Sequence, residues 1–186
     1  YNSGLGAASL TSNTTGNYGT ALGANTLKAN TTGSGNTAMG TNAMESNTSG
    51  EGNTVAGWNS LVTNSTGGYN VSIGNNSLSV NTVASYNTAV GHNALVANIT
   101  GSYNTAIGYS SQENTDDGIQ NTSVGANSLV NNISGDGNVA IGAYSQFNGV
   151  GGNFNTSLGM GSLYNNLQNG NNAFGYFALF SNTTGY

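Results

Sequence analysis

Catalysis needs titratable groups within reach of one another, and this chain has few. Its 186 residues hold six Asp and Glu, one Lys, one His, no Arg and no Cys. His92 is the only histidine, and no carboxylate falls within eleven residues on either side of it. It reads as an exposed loop residue with no partner for a metal site or a triad. Asp116, Asp117 and Gly118 form an acidic turn in which two carboxylates and backbone carbonyls could approach a Ca²⁺ ion. Calcium takes about six or more oxygens, and the pattern does not recur, so a solvated turn is the expectation. Glu113 and Asp116 are too isolated for acid–base work. With no cysteine there is no thiolate ligand, nucleophile or disulfide. The expectation is therefore no catalytic, cofactor-binding or metal residues, no cofactor, and no enzyme.

Aromatic side chains are the other candidates. Trp58 is the only Trp and stands two residues after Ala56. Two readings fit it: a ring folded over the gap beside Ala56, or a platform on which a sugar stacks. Tyr86, Tyr103, Tyr109 and Tyr176 offer similar rings, which either cover neighbouring backbone or meet a glycan. Gln112 and Gln146 interrupt a column of Leu, and both precede unusual loops, Glu113 to Gly118 and Phe147 to Gly152. Local re-routing of the chain, with the amides bonded to backbone, is expected. Asn13, Asn30, Asn47, Asn98 and Asn182 sit in N-x-[ST] sequons, glycan acceptors in secreted eukaryotic proteins. Turn formation and stacking explain them equally well.

What must position all of these is a repeat. Gly6, Gly23, Gly40, Gly57, Gly74, Gly91, Gly108, Gly125, Gly142 and Gly159 recur every 17 residues, and one shortened step leads to Gly175. The consensus is N-T-A-[ILV]-G-x-N-[AS]-L-x-x-N-T-T-G-x-[YG], with the first Asn as position 1. Eleven copies fill residues 1–186 as a single domain. So short a period fits one coil of a parallel β-solenoid, or β-roll. Positions 1 to 5 read as a strand, with Thr at 2, a small residue at 3 and a large apolar one at 4. A second strand is expected around the Leu of position 9, with turns at the glycine of position 5 and at N-T-T-G. Alternation puts 2 and 4 on one face and 3 on the other. Columns 4 and 9 are expected to face each other inside the coil, leaving column 3 as a flat outer face. A repeated inward Asn at position 1 or 12 would form an amide ladder.

Composition agrees with stacked coils. Charged residues are 4% of the chain, against about 25% in ordinary soluble domains. Like charges stacked at the strand spacing of about 4.8 Å repel by ~0.9 kcal/mol even in bulk water, at every coil. Lys28 and Glu45 occupy position 10 in adjacent coils with opposite signs, and should lie side by side. Pro is absent, as a continuous ladder requires. One Lys and no Arg exclude phosphate-driven nucleic-acid binding. No apolar run is long enough to span a membrane. Two large apolar side chains per coil form a thin core against an ordering cost of roughly 1–2 kcal/mol per residue. That deficit predicts a homo-oligomer, most simply three parallel rolls. Where position 15 becomes Asn169 a turn residue is lost, and the coil should tighten without interrupting the stack.

The segments N-T-A-I-G-Y-S-S (104 to 111), N-T-A-V-G-H-N-A-L (87 to 95) and N-T-A-M-G-T-N-A-M (36 to 44) resemble the head repeats of trimeric autotransporter adhesins. They are also similar to the N-T-T-G-x-x-N-T-A-x-G arrays of phage tail-fibre and tailspike proteins. The period is longer than that of the usual adhesin head. The resemblance covers the whole chain and implies a trimeric left-handed parallel β-roll serving as a rigid shaft or adhesive head. It implies an extracellular place, on a virion tail fibre or a cell surface, and a glycan or protein receptor. The chain reads as a segment of a longer fibre. Two other roles fit the repeat: a homopolymeric extracellular filament, and an ice- or mineral-binding solenoid with ordered Thr columns.

Overall fold

A computed structural model describes residues 1–183 of the chain. Its strands are β1 (Ser3–Leu5), β2 (Thr20–Leu22), β3 (Thr37–Met39), β4 (Thr54–Ala56), β5 (Val71–Ile73), β6 (Thr88–Val90), β7 (Thr105–Ile107), β8 (Thr122–Val124), β9 (Val139–Ile141), β10 (Thr156–Leu158), β11 (Asn165–Asn166), β12 (Asn172–Phe174) and β13 (Ser181–Asn182). Strands β1 to β10 and β12 form one parallel sheet of eleven strands in sequence order. Register is strict, with Thr20 against Thr37, Ala21 against Ala38 and Leu22 against Met39. The fold is an all-β parallel solenoid of about eleven coils, as the period predicts.

Each strand covers only positions 2 to 4. At position 1 the Asn side chain takes over the ladder. The backbone N–H of Asn70 donates to Asn53 Oδ1 at 2.9 Å, and Asn87 repeats this on Asn70. The Nδ2 of each such Asn crosses the coil to the position-15 carbonyl, as from Asn104 to Gly118 at 2.7 Å. A second amide column runs through position 12. Nδ2 of Asn30, Asn47, Asn64, Asn81 and Asn98 donates to Oδ1 of the Asn one coil earlier, at 2.7–3.1 Å. Both expected Asn ladders therefore exist, and both are buried. Buried amides are costly unless paired, and here nearly every lone pair and N–H in the columns has a partner.

The second strand at position 9 is not formed; positions 6 to 11 are turn in most coils. Asn at position 7 and Leu at position 9 both adopt left-handed backbone, as in Asn93 (φ 56°) and Leu95 (φ 51°). Coil-to-coil bonding continues through this bend, with Leu95 N–H donating to the Ser111 carbonyl at 3.0 Å. Among the described residues only β11 and β13 make a second strand pair. They flank the shortened step, where β10 still pairs with β12 in register. The coil tightens there without breaking the stack. Asn169 takes the place of position 16, its Oδ1 accepting the Asn153 N–H at 2.7 Å.

The assignment of inside and outside is the reverse of the expectation. Column 3 is buried: Ala21, Ala38, Val55, Ser72, Ala89, Ala106, Ser123, Ala140, Ser157 and Ala173. Column 4 faces solvent, with Leu22 46% and Ile107 40% exposed. The reason is width. Leu at position 9 fills the coil from the opposite wall, and a Cβ at Gly4 (position 3) would already touch Leu10 and Ser9. Mostly Ala or Ser fits across from Leu, so the large residue points out in every strand except β4, where Val55 is buried and Ala56 faces outward. Glycine at position 5 turns the corner with φ between +121° and +146°. A Cβ at Gly91 would overlap the carbonyl of Gly108 in the next coil.

Candidate functional site

Two surfaces stand out once the interior is assigned. The first is the outward face of the long sheet. It carries Leu5, Leu22, Met39, Ile73, Val90, Ile107, Val124, Ile141, Leu158 and Phe174 in one stripe, beside the Thr of position 2. Thr20, Thr37, Thr54, Thr88, Thr105, Thr122 and Thr156 form that flank, partly or fully exposed. Neither column contains a charged residue. The second surface is aromatic. Tyr69, Tyr86 and Tyr103 stack coil on coil with ring centres 5.0–5.3 Å apart and planes within 8°. A separate ladder joins Phe147, Tyr164 and Phe180 at 4.9–5.2 Å.

The individual candidates fall into place around these. His92 stacks on Tyr109, with ring centres 5.5 Å apart, in adjacent coils. Asp116 lies at the edge of a surface groove of about 440 Å³ lined by Val80, Val96, Ala97 and Ile99. Its carbonyl already accepts N–H bonds from Ile99, Thr100 and Gly101 of the preceding coil. The Asp116 carbonyl is thus engaged in the stack. Among the described residues no three His, Asp or Glu side chains cluster as metal ligands would. Trp58 is half exposed. Lys28 and Glu45 form the expected ion pair at 3.4 Å; at this exposure it adds little stability. Tyr69 donates its hydroxyl to Glu51 Oε1 at 2.6 Å. That hydrogen bond, then the Glu51 charge, raises the Tyr69 phenol above its ordinary value.

Gln112 and Gln146 are interior side chains. Gln112 Nε2 donates to the Thr105 carbonyl and to Ser123 Oγ, both at 2.9 Å. Gln146 repeats this with Val139 and Ser157. The amides bond to backbone as expected, but the coil after Gln112 is not re-routed: Asn114 and Asp116 still bond to Val130 and Ile133. Each Gln is matched by a Ser at position 3 of the next coil. Ser111, Ser123 and Ser128 form one hydroxyl cluster inside the coil, and Ser145, Ser157 and Ser162 another. These clusters were missed from sequence, although the signal was present: Ser123 and Ser157 each follow a Gln by 11 residues.

The sequons Asn30, Asn47 and Asn98 are buried, and their Nδ2 groups, the atoms a glycan would need, are hydrogen-bonded inside the coil. Glycan attachment there would dismantle the column. Asn13 and Asn182 are partly exposed. Among the described residues no helix is long and apolar enough to cross a membrane. Comparison with known proteins finds no family model, curated protein or solved structure that matches the chain.

Proposed function

We propose that this chain is a structural segment of a homo-oligomeric extracellular fibre, a rigid shaft or adhesive head. A viral tail fibre and a cell-surface adhesin are the two settings in which such a segment would work. One observation carries the proposal: the uncharged apolar stripe along the outward face of the sheet. Ten apolar side chains, mostly about two-fifths to two-thirds exposed, together with the flanking Thr, present an area on the order of the ~800 Å² per partner of a stable interface. In-register strands keep the stripe straight, so copies lying parallel would bury it along its whole length. Three rolls around one axis close such a face without leaving an edge. Eleven coils at about 4.8 Å make a rod of roughly 53 Å per segment.

The test is the mass in solution. Light scattering is expected to give a discrete oligomer, three chains being favoured. The pair Ile73→Asp and Ile107→Asp is expected to yield folded monomer. A wild-type monomer at micromolar concentration would defeat the proposal. Long filaments in electron micrographs would instead favour a homopolymer.

The outward Thr column supports a second reading, an ice- or mineral-binding face. Column 4, however, varies from Ala56 to Phe174 in size. Irregular side chains suit interdigitation with another protein chain better than a regular lattice. Absence of thermal hysteresis would remove this reading.

A further inference from the structure

All five Phe of the chain lie between 147 and 180. No Asp, Glu, Lys, Arg or His follows Asp136. The last coils thus exchange polar outer positions for aromatic ones, while the repeat that builds the fold stays the same. Position 7 shows the exchange most clearly. It is Asn in Asn25, Asn42, Asn59, Asn76, Asn93 and Asn127, then becomes Tyr144, Gly161 and Phe177. Position 10 becomes Phe147, Tyr164 and Phe180 over the same coils. Neither change serves the interior, because both positions lie outside the Leu and Asn columns.

The two columns converge. Tyr144 meets Phe147 at 5.8 Å with rings tilted by 51°, and Phe177 meets Phe180 edge-on at 5.0 Å. Between Tyr144 and Phe177 stands Gly161. A Cβ there would overlap the Phe177 ring, so the glycine allows that ring to lie down against the coil. The result is a recess of about 310 Å³ lined by Tyr144, Met160, Tyr164, Phe177 and Phe180. Its volume is at the lower end of small-molecule sites and far below what a folded partner needs. Of the described tyrosines, only Tyr69 has its hydroxyl bonded to protein, so the phenols of Tyr144 and Tyr164 are free to bond a ligand. Asn148 and Asn165 follow Phe147 and Tyr164 directly in the chain, and Asn148 Nδ2 donates a hydrogen bond to Asn165 Oδ1 at 2.8 Å.

We propose that this recess binds a neutral sugar ring. The rings of Tyr144 and Phe177, which stand outside the Phe147–Tyr164–Phe180 stack, receive the C–H face of a pyranose, phenol hydroxyls bond its hydroxyl groups, and the lack of nearby charge selects against phosphorylated or acidic ligands. The recess is built on side chains beyond the Gly159 corner, at positions 6, 7 and 10, and uses none of the position-4 stripe. The proposal therefore goes beyond the fibre reading and does not depend on it.

Saturation-transfer NMR with the methyl glycosides of glucose, galactose, mannose and N-acetylglucosamine is the direct test. At least one is expected to bind with a Kd of about 1–10 mM, typical of a single-ring site. Tyr144→Asn and Phe177→Asn restore the residue that other coils carry at this left-handed position, so the fold should tolerate them. Each should weaken binding about tenfold or more, with unchanged circular dichroism and unchanged mass by light scattering. Binding of none of the four sugars, or equal binding by wild type and both variants, overturns the proposal. So does a change of oligomeric mass in the variants, which would make the recess a contact between copies.

Discussion

At the scale of single residues, the stack is held by amides and hydroxyls as much as by Leu. One position shows what a missing amide costs. Thr115 stands at a position where every other coil but that of Gly149 carries Asn, and it is buried. Its Oγ1 and the Oδ1 of Asn98 beneath it have no partner, and neither has Gln112 Oε1. Thr115→Asn should rejoin the column and stabilise the protein by about 1 kcal/mol or more. Thermal unfolding should then shift upward by a few degrees; a lower midpoint would contradict the ladder account. Tyr69 offers a second residue-level check. Glu51 favours its protonated phenol, so in an ultraviolet pH titration Tyr69 should ionise above its ordinary value. Glu51→Gln should lower it toward that ordinary value. Because the neutral form is favoured in the folded state, this contact contributes below the ordinary phenol range and is lost as pH rises through the raised value. A titration unaffected by the substitution would rule the contact out in solution.

At the scale of the coil, much was legible and one thing was inverted. Spacing alone located the first strand of each coil, the Gly corner, the Asn ladders and the shortened step, because a column that must stack on itself tolerates few residue types; the second strand expected at position 9 is instead a bend. Alternation also correctly grouped positions 2 and 4 against position 3. Parity cannot say which group faces in, however, and size was the wrong guide. The interior is so narrow that Leu27 or Leu95 fills it from one wall, leaving room opposite for Ala or Ser in nearly every coil, Val55 being the exception. The left-handed backbone at buried Leu was not legible either. Leu disfavours that conformation by roughly 1–2 kcal/mol, and only the coil-to-coil bonds around it hold it there. The corner is the most demanding element. Gly91→Ala would place a methyl group against the Gly108 carbonyl on a backbone that side chains rarely adopt. It should destabilise by more than about 3 kcal/mol, seen as a large drop in the unfolding midpoint. Tolerance of alanine at Gly91 would mean the coils stack more loosely than described.

At the scale of the whole molecule, the inverted assignment strengthens the case for assembly. A flat face of small residues would have been a weak reason for chains to associate. The outward column of Leu, Met, Ile, Val and Phe is a stronger one, since about 25 cal/mol is gained per Å² of apolar surface removed from water. The near absence of charge removes any electrostatic barrier between identical copies. The aromatic recess is built on positions 6, 7 and 10 and the stripe on position 4, so the two proposed contacts draw on different side chains. Because the chain has no cysteine, single thiols report directly on the packing of copies. Leu22→Cys and Leu158→Cys, made separately and mixed under mild oxidation, should each give 22–22 and 158–158 cross-links in high yield, with no 22–158 product. Such a pattern is what parallel copies joined along the stripe require. Uncross-linked chains, or a dominant 22–158 product, would contradict the account.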